Sequence, residues 1–296
     1  MKNSIRGSLL LLLATVIWGF CFAAQSAGMD CIGPFTFQAI RCLLAVFALI
    51  PCIAVFDGPQ IRFFFRRWAD KTLWKAGILC GLALFFSAGF QQVGLVYTTA
   101  GKAGFITAMY IVFVPIVGIF RRKKPSANVL FSILLAIVGL YLLSYAGLGS
   151  IHFGDILMFC CPVAFAIQIT IVDTYAAQVD CLRLNCIQSL VCSALSAVCM
   201  LFMETPNVGN ILDCWLPLCY AGFLSMGAAY SLQILGQKRL EPTTASLIMS
   251  LESVFAALSG WIFLKETMNL QETLGCILMF LAVILSQLPF PLSKRQ

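Results

Sequence analysis

Charge is what this chain has least of. Only 10% of its 296 residues are charged, and just 12 are acidic, against 61% hydrophobic. Soluble domains carry about a quarter charged residues, so a water-soluble fold of this length is excluded. Histidine is nearly absent. The single one, His152, falls in a connection between apolar runs, which excludes paired-imidazole zinc sites and a membrane-buried Ser–His dyad. No phosphate loop is present either: Gly101-Lys102-Ala103-Gly104 follows no strand and lacks the required spacing. The sequence therefore offers no catalytic residue, no metal ligand set and no cofactor motif.

What is abundant points to lipid. Mean hydropathy is +0.96, and apolar runs of about 20 residues recur, the length needed to cross roughly 30 Å of hydrocarbon. Ten spans are predicted: 7–27, 34–56, 73–96, 100–120, 128–147, 154–174, 184–203, 213–236, 243–264 and 271–290. Gly33-Pro34, Asp57-Gly58-Pro59, Pro125, Pro206 and Glu241-Pro242 punctuate them. The first run has the look of a secretion signal, but Trp18-Gly19-Phe20 interrupts it, and 154–174 is its internal counterpart. It is read as an uncleaved helix.

The net charge of +7 is arranged as topology and not as a nucleic-acid surface. Arg62, Arg66, Arg67, Lys71 and Lys75, then Arg121 to Lys124, then Lys238 and Arg239 all fall on one side. The opposite side holds only Lys102 and Lys265. This bias predicts that both termini are cytoplasmic. The 14 cysteines lie mostly inside spans without ligand spacing, and behave there as small apolar residues.

The chain also repeats itself. Gly94 and Gly236, Ala103 and Ala245, Val112 and Val254, and Phe113 and Phe255 stand 142 residues apart. Asp30, Cys31 and Gln38 recur 150 residues later as Asp180, Cys181 and Gln188. Five spans per repeat is an odd number, so the second copy enters from the opposite face. The expected fold is an all-α integral membrane protein of ten helices in two inverted five-helix repeats, 1–149 and 150–296, a build of secondary transporters.

A polar residue inside a span needs a reason, since a mid-membrane charge costs about 2.5–3.5 kcal/mol on insertion scales. Glu252 lies near the middle of span nine, and Tyr110 is its repeat mate. Two readings stand for Glu252: a ligand for a substrate cation or a proton carrier, or a structural carboxyl tied to another helix or to Arg41. Arg41, in span two, either binds substrate or snorkels outward. Gln91, Gln168 and Gln233 are either substrate contacts or interhelical hydrogen bonds. Trp18, Phe22 and Gln25 share a face, as an aromatic pocket wall or as packing. Lys102 is an outer anchor or a first contact for an anion.

Several marks together resemble the drug/metabolite transporter superfamily, specifically EamA-type exporters. They are Trp18-Gly19; Arg41 with Leu43-Leu44-Ala45; 99–106; Ser250-Leu251-Glu252; and Trp261 with Glu266. The resemblance covers essentially the whole length, with two departures: Ser253 where the family usually has proline, and Lys265 where glycine is common. It implies a carrier of the bacterial inner membrane with a central cavity lined by spans one, three, four, six, eight and nine. Cargo in such carriers ranges over amino acids, nucleosides, sugars and drugs. With so few buried bases, a zwitterion or neutral amphiphile fits this chain better than a phosphate.

The expected mechanism is alternating access to a small amphipathic metabolite, with protons as a second partner. Hairpin 97–102 (Thr99, Lys102) gates the outside and hairpin 238–243 (Pro242) the inside. Glycines 101, 104 and 118 allow close helix approach. The rival class is a non-transporting assembly or receptor subunit. A channel is disfavoured because rings of like charge are missing.

Overall fold

In hydrocarbon a peptide group can bond only to protein, so long apolar runs close their hydrogen bonds within themselves as helices. The computed structural model describes residues 2–58, 66–98, 100–120, 125–144, 153–263 and 269–288, and among them no strand occurs. The helices are α1 (Lys2–Met29), α2 (Pro34–Asp57), α3 (Lys71–Leu95), α4 (Ala100–Ala108), α5 (Tyr110–Phe120), α6 (Ala127–Ser144) and α7 (Phe153–Tyr175). They continue as α8 (Cys181–Met203), α9 (Val208–Asp213), α10 (Trp215–Cys219), a π segment (Tyr220–Ala229), α11 (Tyr230–Gln237), α12 (Pro242–Met249), α13 (Glu252–Phe263) and α14 (Leu270–Gln287).

Among the described residues, eight helical stretches are long and apolar enough to cross a bilayer. Two shorter apolar helices, 127–142 and 270–286, join them. At 18 residues each, α6 and α14 reach about 27 Å. Large apolar side chains such as Phe47, Phe56, Phe120, Phe131, Phe202 and Trp261 point outward, a surface only lipid tolerates. Thr99, the bases of 121–124, His152, Lys265 and Glu266 lie outside the described residues.

Two helices are broken at equivalent places. Span four parts at Met109 between α4 and α5, and span nine parts at Ser250-Leu251 between α12 and α13. The same bonds mark both breaks. Met109 N–H donates to Ile106 and Val112 N–H to Met109, while 142 residues later Leu251 N–H donates to Ile248 and Val254 N–H to Leu251. Span nine breaks although Ser253 replaces the family's proline. Ser250 and Ser253 hydroxyls bond back to the carbonyls of Leu247 and Ser250, both at 2.8 Å, and such back-bonding bends helices.

The packing respects the repeat. α2 packs along α8 and α6 along α14, while α3 against α7 is matched by α11 and the π segment against α1. The equivalent helices run antiparallel. Glu204, just past the end of α8, accepts from Phe35 N–H and Thr36 N–H (both 2.8 Å) and from the Thr36 hydroxyl (2.6 Å) at the start of α2. At the other end, Asp57 of α2 pairs with Arg183 of α8, and with Arg67 at 2.7 Å. Asn128 at the start of α6 likewise donates to Leu285 and Leu288 at the end of α14.

Close approach falls partly where expected. A Cβ at Gly104 would meet Ala256 at 2.8 Å, but one at Gly101 would meet nothing within 4 Å, so Gly101 is not a contact glycine. The tightest backbone approach is at Gly19, where a Cβ would lie 2.2 Å from Phe255 Cβ and 2.7 Å from its carbonyl carbon. Backbone cannot rotate away. Gly19→Ala is therefore expected to lower the melting temperature in detergent, by the equivalent of about 1–3 kcal/mol, with Gly101→Ala unchanged or slightly raised. Equal melting of the two variants would disprove the α1–α13 contact.

Candidate functional site

α1 brings Trp18, Phe22 and Gln25 to one side at helical spacing, and the Gly19 contact presses that side against α13. The breaks place Tyr110 and Glu252 each at the first residue of a half-helix, α5 and α13. An anion at a helix start meets the positive end of the dipole. These residues close around one cavity at the centre of the bundle. It is lined by Trp18, Phe22, Gln25, Arg41, Gln91, Tyr110, Phe165, Tyr230, Gln233 and Glu252, with Ile169, Ser225, Met226 and Met249 between them.

Of the residues expected from the sequence, Glu252, Tyr110, Trp18, Gln91, Gln233 and Arg41 are brought together here. Gln168 is not on the wall. It stands one hydrogen bond behind, accepting from Gln233 Nε2 at 3.1 Å. Lys102 and Pro242 belong to the hairpins, away from this cavity, and Pro242 lines a separate cleft of about 420 Å³ with Asp173 and Thr243.

Arg41 does not pair with Glu252, which removes one of the two partners that the structural reading of that carboxyl named. Its guanidinium donates to Gln25 at 2.5 Å and to Gln38 (Nε at 2.9 Å), and lies 5.6 Å from the centre of the Phe37 ring. It is a buried cation held by amides and a ring face. Gln91 donates to the Thr107 hydroxyl at 3.1 Å. The aromatic walls interlock edge to face, Trp18 on Tyr230 at 5.0 Å and Tyr110 on Phe165 at 6.4 Å.

Four polar atoms of this wall are buried and make no hydrogen bond among the described residues: Trp18 Nε1, Tyr110 Oη, Gln233 Oε1 and Glu252 Oε1. The Tyr110 phenol sits against the Glu252 carboxyl, short of hydrogen-bond geometry. Buried polar atoms are nearly always paired in folded proteins, so a cluster of unpaired ones calls for an external partner. The volume is small, about 30 Å³. That holds one or two waters, whereas small-molecule sites span about 300–1,000 Å³. The site is shut.

Tyr230, Ser225, Met226 and Met249 were not singled out from the sequence. Tyr230 stands three residues from Gln233, so helical spacing could have found it. Ser225 and Met226 could not be found that way, because the π segment winds with i→i+5 bonds, seen in Tyr230 N–H to Ser225 O, and shifts the register of span eight.

A model of the EamA-like transporter family matches residues 5–145 and again 152–288. An uncharacterized transporter of Archaeoglobus fulgidus is 32% identical over 94% of this chain and 84% of its own length. The uncharacterized transporter YoaV of Bacillus subtilis is 18% identical over 99% of both chains. A crystal structure of 18% identity matches 95% of this chain and 96% of its own with a TM-score of 0.75, a likeness of fold.

With no ion pair to lose, Glu252→Gln is expected to leave the melting temperature in detergent unchanged or raised. Removing half of a buried ion pair instead costs about 3–5 kcal/mol. A fall of several degrees would reveal a structural partner for this carboxyl.

Proposed function

Because the chain belongs to the EamA-like transporter family of the drug/metabolite transporter superfamily, and is thus a multi-pass membrane transporter, we propose that it exports a small amphipathic metabolite by alternating access. The fold is read as ten spans in two inverted repeats, 1–149 and 150–296, in a bacterial inner membrane with both termini cytoplasmic. The antiparallel run of α2 with α8 and of α6 with α14 supports the inversion.

One observation carries the reading: Trp18, Tyr110, Gln233 and Glu252 hold unpaired polar atoms around a narrow central space where two broken helices meet. A carrier must bind cargo away from both faces and then release it, which calls for such a chamber and for helices that can hinge. The breaks at Met109 and at Ser250-Leu251 supply the hinges. Hairpins 97–102 (Thr99, Lys102) and 238–243 (Pro242) act as the outer and inner gates. Glu252 binds a cationic group of the cargo or cycles a proton. Trp18, Tyr110, Gln91, Gln233 and Arg41 complete the cargo site.

The test uses Glu252→Cys in a chain whose native cysteines are replaced, labelled with a small charged thiol reagent in oriented vesicles. Labelling from each face, slowed when the other gate is crosslinked, is expected of a carrier. Failure to label from either face would favour a non-transporting subunit. In cells challenged with a panel of toxic metabolites, Glu252→Gln should abolish or flatten over pH whatever protection the native chain confers. An unchanged pH profile would remove both roles from this carboxyl.

A further inference from the structure

Behind the cavity wall runs a chain of side-chain amides whose direction is dictated at one end. Asn185 Nδ2 contacts the backbone carbonyls of Met226 at 3.0 Å and Gly227 at 2.9 Å, together with the Ser231 hydroxyl at 2.9 Å. The carbonyls exist to be capped because the π segment returns to α-helix just beyond them, and that transition leaves a carbonyl over. A carbonyl can only accept, so the Asn185 amide must turn its nitrogen to them and its oxygen away.

Every later orientation follows. Asn185 Oδ1 accepts from Gln188 Nε2 at 2.9 Å, Gln188 Oε1 accepts from Gln168 Nε2 at 3.3 Å, and Gln168 Oε1 accepts from Gln233 Nε2 at 3.1 Å. Asn185, Gln188 and Gln168 are fully buried and Gln233 nearly so, so no solvent competes for these bonds. With one N–H committed backward to Gln168, the Gln233 amide is fixed in orientation, and its Oε1 is left as an acceptor with no partner on a side chain that lines the cavity. Glu252 Oε1 is a second unpaired oxygen on the same wall.

We propose that Gln168, Gln188 and Asn185 are positioning residues that hold the Gln233 amide with its oxygen toward the cavity, so that the site selects cargo bearing an N–H donor, a primary ammonium above all. The proposal rests on the transport-site reading and sharpens it to a substrate class. Were the relay absent, Gln233 could turn over and present N–H instead, and the wall would serve donors and acceptors alike. The aromatic faces of Trp18, Tyr110, Phe165 and Tyr230 suit the apolar flank of such an amine and attract its cation.

The experiment compares two probes of matched shape, 2-phenylethylamine and 3-phenylpropionate, by calorimetric titration of the purified full chain in detergent at pH 7. The native chain is expected to favour the amine at least tenfold. Gln168→Leu frees the Gln233 amide to rotate and should cut that preference by about tenfold, the scale of one hydrogen bond. A merely structural role for Gln168 would weaken both probes alike and leave their ratio unchanged. Should Gln168→Leu not fold, Gln188→Met interrupts the relay one link further back and serves the same comparison. Equal binding of the two probes to the native chain, or an unchanged preference in the relay variant, overturns the amide assignment alone. Binding of neither probe overturns the transport-site reading and the assignment with it.

Discussion

Hydrocarbon offers a polar atom nothing to bond with, and the structure follows from that constraint. It makes each apolar run a helix and forces the ends of helices to find partners in one another. Glu204 satisfies the first N–H groups of α2, and Asp57 takes up the Arg183 charge at the far end of the same helix pair. It also makes an unpaired polar atom in the bundle centre informative. Other buried atoms, such as Gln92 Oε1 and Ser196 Oγ, also go without a partner, but Trp18, Tyr110, Gln233 and Glu252 gather four of them around one cavity, and that clustering is what the proposed function explains.

The broken helices convert repetition into a site. A continuous helix would carry both residues along its flank, whereas the breaks at Met109 and at Ser250-Leu251 make Tyr110 and Glu252 the first residues of new helices. Because the breaks are repeat equivalents, the two starts face one space, one presenting a phenol and the other a carboxyl. The halves differ just enough to make that space polar in a directed way. Arg41 anchors the first half's amides, Gln25 and Gln38. In the second half the π segment's surplus carbonyls anchor Asn185, Gln188, Gln168 and Gln233. One set is organised by a cation and the other by acceptors.

The cavity narrows to about 30 Å³ at the centre of the bundle, while a wider cleft of about 420 Å³ lies beside Pro242. The proposed cargo would need roughly tenfold more room. In the proposed cycle the broken helices would supply it by bending at Met109 and at Ser250-Leu251, with the backbone contact at Gly19 joining α1 to α13. The antiparallel pair α2–α8 is clamped at both ends.

Much of this was written in the chain itself. Scarce charge and long apolar runs determined a membrane bundle, since no other solvent accepts that composition. The 142-residue offset determined that Tyr110 and Glu252 would be equivalents, because spans four and nine match at that single offset. Cost alone marked Glu252, Arg41 and the glutamines as residues with a purpose. What only the tertiary structure decided was where each one sits. Gln168 and Gln233 look alike in sequence, yet Gln233 lines the cavity and Gln168 stands one hydrogen bond behind it. Arg41 turns to amides and leaves Glu252 alone, and Gly101 touches nothing. Those outcomes depend on which atoms of distant helices come within 3 Å, and on a π register that follows no 3.6-residue period. Hydrogen bonds have direction, and direction is settled only once both partners are in place.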